Sequence, residues 1–599
     1  MCGIAGFVNL DGAPADHRVL DAMSGALRHR GPDDRGRLLV SLRQGQLAAN
    51  GRPADAALAV ERLRILDVSD RARQPMLNEA GTVAIAFNGA VTNAFAYDDT
   101  LQDAGVRFRS ASDTERLLYL YEHFGLQGLL DRIDGMFALA IVDLQTRRLH
   151  LVRDHFGIKP LYWAQIGSTV LFASEAKAFL AHPRFRAEID EQYVDEQLAF
   201  RYVAGDASLL KGVRQLRPAH CLTVSPDGTV NARYWSIPES RTEQPVSRRD
   251  AIDQLDGLLR RSVADHLRSD VEVGCQLSGG VDSSLVTLFA AARAGAGMRA
   301  FSLVFEDPKF SEAAWITEAA VAANVASHQY LFDEPMFRES LERATWHSDQ
   351  PISHPNAVGL WHLAMRSREY VTVLLCGEGA DEVFGGYARC AEANRLAPDA
   401  YVRATQLHPS AKLARLRPGG DLSGAYERRA AIFDEGRGDH LSNCLKYEMQ
   451  TYLVDLLARQ DKMMMSHGIE NRVPFLDRSL VEFARALPAA HLVDDGDGDA
   501  GATKIIVKHL ARRVFTDAFA NRPKAAFNLP LSQYFRSAAF TAMMEDEVLP
   551  GMRRRGLVDA GAVRRLWRRS LSAPALTEPL WTPIALELWA QRFVDAGQA

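Results

Sequence analysis

The chain has 599 residues, of which 47% are hydrophobic, 24% charged and 8% aromatic, and it carries a formal net charge of −5. That length accommodates two to four domains with their own cores, and the ordinary composition and mild acidity argue against a general nucleic-acid binder. No apolar stretch approaches the roughly 18 residues of a membrane span, and the N-terminus lacks the charged-then-apolar pattern of a secretory signal, so a soluble, cytoplasmic protein with no membrane partner is expected.

In chain order, the first feature is the start itself, Met1-Cys2-Gly3-Ile4-Ala5-Gly6. The small cysteine permits removal of Met1, after which Cys2 carries both a thiol nucleophile and a free α-amine to act as its base. An amine of pKa about 7.7–8.0 beside a thiol near 8.5 makes that proton transfer cost only about 1 kcal/mol. Apolar runs of strand length follow at 82–87, 137–142, 149–152 and 170–173, with turn-forming residues nearby, and helical periodicity interrupts them at 18–28 and 113–124. Residues 1–236 are therefore expected to form an α+β domain of stacked antiparallel sheets with helices outside.

Residues 237–248, rich in Glu, Ser and Arg, read as a linker. Beyond it, a helical period at 249–266, a strand at 271–277, an apolar run at 285–292 and strands at 299–305 and 370–375 alternate, and the remainder from about 399 is mostly helical. Residues 249–599 are thus expected to form an α/β domain with a doubly wound parallel sheet and a large helical portion.

Two loops in this half carry chemistry. Leu277-Ser278-Gly279-Gly280-Val281-Asp282-Ser283-Ser284 lies where a strand hands over to a helix. Paired glycines let backbone N–H groups converge on an anion, the serines add donors, and the helix N-terminus adds its dipole. Asp282 would repel a phosphate unless a Mg²⁺ ion lies between them. No GxxxxGK[ST] is present, which excludes the loop of kinases and GTPases. The second loop, Cys376-Gly377-Glu378-Gly379-Ala380-Asp381-Glu382, follows the strand at 370–375, at the carboxyl end where ligands bind in such sheets. Asp282 and Asp381 are the expected metal ligands, although Asp381 could equally cap the next helix. The six cysteines are scattered without CxxC spacing, which indicates neither a disulfide framework nor a zinc site. The acidic stretch 494–501 lacks the glutamate and spacing of a calcium loop. The arginines at 553–555, 564, 565, 568 and 569 read as a solvated helix face.

Taken together, Cys2 and these two loops resemble the glutamine-dependent asparagine synthetases of bacterial type, end to end. The N-terminal half is similar to a class II, N-terminal-nucleophile glutaminase, through Arg28-His29-Arg30-Gly31-Pro32-Asp33, Arg62-Leu63, Phe87-Asn88-Gly89, Ser112-Asp113-Thr114-Glu115, Asp134-Gly135-Met136-Phe137-Ala138 and the run 153–162. The C-terminal half is similar to an ATP pyrophosphatase synthetase domain, through its two loops, Glu470-Asn471-Arg472-Val473-Pro474-Phe475-Leu476-Asp477, Lys504 and Arg522-Pro523-Lys524. The resemblance implies that Cys2 attacks the amide of glutamine, that Asn88 and Gly89 hold the oxyanion, and that Arg62 and Asp113 grip the amino-acid end. It implies that ammonia passes through an internal channel to a carboxylate adenylated by ATP with Mg²⁺, with AMP and pyrophosphate released. It assigns Leu277, Ser278, Gly279, Gly280, Asp282, Ser283, Leu303, Cys376 and Gly377 to the nucleotide, Lys504 to the charge developing on the α-phosphate, and Glu378 to forming the acyl-adenylate and its capture by ammonia. A homodimer is the assembly it implies.

Departures from the family pattern are as informative. The usual Asn-Gly-Glu is here Asn88-Gly89-Ala90, which removes a carboxylate expected to help bind the glutamine α-amine. A lost charged hydrogen bond is worth about 1.5–3 kcal/mol, so glutamine is expected to bind weakly, with Asp113 holding the amine. The stretch 43–57 lengthens the loop before Arg62. After Asp349-Gln350-Pro351, an Asp-Pro-Ser-Ala-Ile-Pro-like run is replaced by His354-Pro355-Asn356-Ala357-Val358-Gly359, near the expected acceptor pocket. The acceptor therefore stays open: aspartate by default, otherwise another amino acid, peptide or natural-product acid. A lactam synthetase is a third reading, disfavoured because such relatives tend to lose the cysteine and alter the Glu378 position. A non-enzymatic protein with a dead glutaminase is a fourth, disfavoured by the intact nucleotide loop.

Overall fold

The computed structural model describes residues 2–48, 53–240, 246–295, 297–393, 396–494, 503–522 and 529–595. Part of the 43–57 stretch, residues 241–245 of the linker, nearly all of the acidic 494–501 stretch, and Pro523 and Lys524 lie outside the described residues.

In the first half, two antiparallel sheets stack. The seven-stranded sheet has the order Val213–Gln215, Tyr162–Ile166, Thr169–Ala173, Cys2–Asn9, Ala56–Arg62, Asp34–Ser41 and Gln46–Leu47. The six-stranded sheet has the order Gly228–Arg233, His220–Ser225, Arg148–Arg153, Gly135–Asp143, Val83–Val91 and Met76–Leu77. Their facing sides form one cluster in which Ile4, Val60, Ala86, Ala140, Leu151 and Phe172 are buried. The many alanines keep the sheets close, as interdigitating inner faces require. Helix His17–Gly25 packs outside one sheet and helix Asp113–Leu130 outside the other. The expected helix at 113–124 starts on a Ser112 cap and loses helical geometry at Gly125, whose φ is 68°. Stacking places the start of the first strand, Cys2 paired with Arg62, beside Asn88 and Gly89 of the other sheet.

The second half holds a five-stranded parallel sheet in the order Ala326–Leu331, Arg299–Val304, Val273–Gln276, Val373–Leu375 and Glu470–Arg472. Alternate residues face opposite ways. Ala300, Val373 and Leu375 join one core with helices Arg248–His266 and Val281–Ala294, whereas Phe301 and Leu374 join another with helices Glu334–Ser348 and Asn356–Ser367. This is the expected doubly wound arrangement. Counted along the chain, the strands run 3-2-1-4-5, so the winding reverses between Val273–Gln276 and Val373–Leu375. A crevice opens there at the strands' carboxyl ends, which is where such sheets bind ligands.

Both edge strands escape the sequence pattern. Ala326–Leu331 is largely polar, and Glu470–Arg472 is three polar residues inside a region otherwise helical, as expected from about 399 onward. All six cysteines are free and buried. Among the described residues no helix is long and apolar enough to cross a membrane.

Candidate active sites

Cys2, Arg62, Gly89 and Asp113 line one small cavity together with Ala90. Asn88 is fully buried behind them, and its Oδ1 accepts a hydrogen bond from the Cys2 backbone N at 3.0 Å. That bond fixes the amide and leaves Nδ2 buried with no hydrogen-bond partner. A Cβ at Gly89 would lie 2.0 Å from the Met136 carbonyl oxygen, so no side chain fits there. Arg62 is pinned by its own loop, donating to the Ser69 carbonyl at 3.1 Å and the Asp67 carbonyl at 2.5 Å. Asp113, in the first turn of its helix, accepts from Val91 N at 3.1 Å and Thr114 N at 2.9 Å. Burial pushes its carboxyl up to about 6, with the Val91 N–H opposing and the Glu470 charge assisting. Burial also pushes the Cys2 thiol up, while the nearby Arg62 charge favours the thiolate.

The second cavity, about 280 Å³, fills the crevice of the parallel sheet. Leu277, Ser278, Gly280, Asp282, Ser283, Leu303, Cys376, Gly377, Glu378, Asp381 and Lys504 all line it. Gly279 does not. It turns the loop instead, with φ 77° and a Cβ position 3.1 Å from the Ile316 nitrogen. Lys504 Nζ lies 2.5 Å from Asp282 Oδ2 and 2.8 Å from Asp381 Oδ1, so the two carboxylates converge on one point. Their charges outweigh burial and hold the Lys504 proton on more tightly than usual. Asp282 Oδ1 is buried without a hydrogen-bond partner. Among the described residues no group of three or more His, Cys, Asp or Glu gathers for a metal. A phosphate-bound Mg²⁺ needs only one or two carboxylates, which this pair supplies. Glu378 accepts from Arg459 Nη2 at 3.2 Å, and Arg459 Nη1 donates to Asn356 Oδ1 at 3.0 Å.

A model of the asparagine synthase family matches residues 254–591, and one of the glutamine amidotransferase domain matches residues 1–235. The chain belongs to the asparagine synthase family. Glutamine-hydrolyzing asparagine synthetase 1 of Bacillus subtilis (strain 168) is 28% identical over 580 residues, covering 90% of this chain and 88% of its own length. A putative glutamine-hydrolyzing asparagine synthetase of Mycobacterium tuberculosis (strain ATCC 25618 / H37Rv) is 29% identical, covering 99% of this chain and 98% of its own. Synthetase 3 of the same Bacillus subtilis strain is 30% identical, covering 82% of this chain and 81% of its own.

Within this asparagine synthase-type amidotransferase, two placements were not legible beforehand. Glu470 and Arg472, in the far half of the sequence, line the Cys2 cavity. Their only advance signal was the motif they sit in, which says nothing of a contact with the first half. His354, conversely, does not line the crevice. It is 9% exposed and hydrogen-bonds through Nε2 to the Tyr452 hydroxyl at 3.0 Å, with Tyr452 forming the wall. Burial, with Arg201, Arg459 and Arg389 nearby, keeps that imidazole neutral. Asn356, from the same altered run, is the residue that reaches the cavity.

A belt of buried charge joins the halves. Arg30 donates to the Cys2 carbonyl at 3.2 Å, to Glu175 at 2.7 Å and to Asp461 at 2.8 Å. Lys159 lies 3.4 Å from Asp461 and donates to the Asn471 carbonyl at 3.2 Å, and Asn471 Oδ1 accepts from the Cys376 thiol at 3.1 Å. Contacts thus run unbroken from Cys2 to the wall of the crevice.

Proposed function

We propose that the chain is a glutamine-dependent amide synthetase that hydrolyses glutamine at Cys2 and delivers ammonia to a carboxylate activated by ATP. One juxtaposition carries this reading: a buried Cys2 bonded to Asn88 Oδ1, with Asn88 Nδ2 left unpartnered, tied by buried contacts to a crevice where Asp282 and Asp381 share Lys504.

With Met1 removed, the Cys2 amine takes the thiol proton and the sulfur attacks the glutamine side-chain carbonyl. The oxyanion accepts from Asn88 Nδ2 and the Gly89 N–H, while Arg62 and Asp113 hold the carboxylate and amine. The proton passes to the departing ammonia, and water then releases glutamate from the thioester. At neutral pH free ammonia in solution is mostly ammonium, which is not nucleophilic, so delivery inside the protein from the Cys2 cavity to the crevice would preserve it.

In the crevice, the acceptor carboxylate attacks the α-phosphorus of ATP and pyrophosphate leaves, with Lys504 offsetting the charge that develops. Ammonia then attacks the acyl carbon, Glu378 takes a proton, and AMP departs. Asp282 and Asp381 would hold Mg²⁺, whose charge offsets that of the phosphates. Aspartate is the default acceptor, giving asparagine. A second reading, the same mechanism on a different amino acid, peptide or natural-product acid, is favoured by Asn356 lining the cavity and His354 backing Tyr452. Retention of Cys2 and Glu378 weighs against a lactam synthetase.

The test is mass spectrometry of the chain with Mg-ATP, glutamine and aspartate. Asparagine and AMP appearing in step establish asparagine synthesis. Glutamate without asparagine or AMP rules aspartate out and sends the search to other carboxylates.

A further inference from the structure

We infer that Arg522 holds the β- and γ-phosphates of ATP and the pyrophosphate as it leaves, an assignment that rests on the nucleotide reading above. Besides Arg459 and Arg522, the cations that line the crevice among the described residues are Lys504 and, one helical turn on, Lys508. Lys504 is occupied by Asp282 and Asp381. The Ser278–Ser283 loop offers backbone and hydroxyl donors but no positive charge, yet the group expelled there is a strongly charged anion.

Arg522 lines the same cavity as Ser278, Gly280, Asp282 and Ser283. Its side chain is only 7% exposed, and a Cβ built on Gly280 would lie 3.8 Å from its Nη2, so the guanidinium rests against the phosphate loop. It is firmly oriented. Nη2 lies 3.2 Å from Glu312 Oε1, and the guanidinium carbon lies 5.3 Å from the Trp315 ring centre and 5.0 Å from that of Phe519. Yet Nη1 is buried with no hydrogen-bond partner. A buried guanidinium N–H is rarely left unsatisfied, and this one belongs to a planar fork suited to phosphate oxygens. Glu378 and Arg459 pair with each other in the same crevice, and the contact with Gly280 sets Arg522 against the phosphate loop. There the helix Val281–Ala294 also presents its N-terminus.

During adenylation the bond between the α-phosphorus and the oxygen bridging to the β-phosphate breaks as the acceptor oxygen bonds to phosphorus. The electron pair leaves with pyrophosphate, and Arg522 stabilises that charge without exchanging a proton. Glu312, Trp315 and Phe519 act through Arg522 and are positioning residues.

The discriminating measurement is calorimetric binding of ATP, AMP and pyrophosphate, each with Mg²⁺, to the full chain and to its Arg522→Gln and Arg522→Lys variants. AMP lacks the phosphates Arg522 is assigned to, so it reports the integrity of the rest of the site. In Arg522→Gln, ATP and pyrophosphate are expected to weaken about tenfold or more while AMP stays within about twofold. Arg522→Lys should recover part of the loss, since it restores charge but not the fork. A parallel fall in ATP and AMP affinity, or no fall in either, overturns the assignment in favour of a packing role. Failure of the unaltered chain to bind ATP at all overturns the nucleotide reading and this inference with it.

Discussion

Around Cys2, the side chains of Arg62, Asp113 and Asn88 are held by backbone and Glu470 and Arg472 pair with each other, whereas in the crevice of the parallel sheet the charged side chains hold one another. Arg62 is fixed by two carbonyls, Asp113 by two N–H groups and Asn88 by the Cys2 nitrogen. Lys504 instead bridges Asp282 and Asp381, Arg522 faces Glu312, and Arg459 bonds Glu378. On the function proposed above, the first cavity would take one small amide with its donors in place before the oxyanion forms. The second would keep its charges mutually compensated until a polyanionic nucleotide competes for them, which avoids the cost of burying unpaired ions. A site for a neutral amide can be built rigid, while a site for ATP must exchange partners.

The sharpest break in this comparison is Cys2→Ala. Glutamine-dependent amide formation should fall at least about a thousandfold, while synthesis from added ammonium salt persists. Loss of both activities would contradict the two-site assignment. Asn88→Ala comes next. It removes the unpartnered donor and should lower the glutamine hydrolysis rate constant about 10²–10³-fold, with little change in KM. A rise in KM alone would place Asn88 in ground-state binding instead.

Ala90 allows the preorganised site to be sharpened instead of broken. Its methyl lines the Cys2 cavity where the family pattern carries a carboxylate. Ala90→Glu is therefore expected to lower KM for glutamine about 10- to 150-fold, the worth of one charged hydrogen bond, with the ammonia-dependent reaction untouched. An unchanged KM would mean that Asp113 and the cavity's own Glu470 already satisfy the amine.

How much of this could be read from sequence follows the same division. The loop at 277–284 and the Gly377–Asp381 loop are contiguous motifs at strand ends, so their place in the crevice is legible from spacing, and residues of both line it. The strands through Asn88 and Phe137 were legible because apolar residues run unbroken between turns. The edge strand Glu470–Arg472 was not, because a parallel neighbour rather than local pattern holds it extended. For the same reason nothing announced that its side chains reach the Cys2 cavity. The motif at Arg522 was visible, but its orphaned Nη1 exists only once Glu312, Trp315 and Phe519 close around it. His354 drew attention as a departure, yet the fold sets it behind Tyr452 and gives the wall to Asn356.

The smallest expected effect concerns Glu382, where the crevice's compensation is weakest. The residue is 1% exposed, and its carboxyl accepts a hydrogen bond from the Tyr387 hydroxyl. Burial, then the charges of Asp381 and Glu378, push it up to about 8, so it is protonated at neutral pH. An unfolded glutamate titrates near 4.3, so between that value and about 8 the folded chain binds the extra proton. Stability is therefore full below the unfolded value and declines as pH rises through this window. Glu382→Gln keeps an acceptor for Tyr387 and abolishes the titration. Thermal melts should coincide near pH 4, and the variant should be the more stable by pH 9. Melting profiles that superpose across this whole range would show that Glu382 gains no extra proton on folding, and that the crevice's carboxylates are compensated more completely than their geometry suggests.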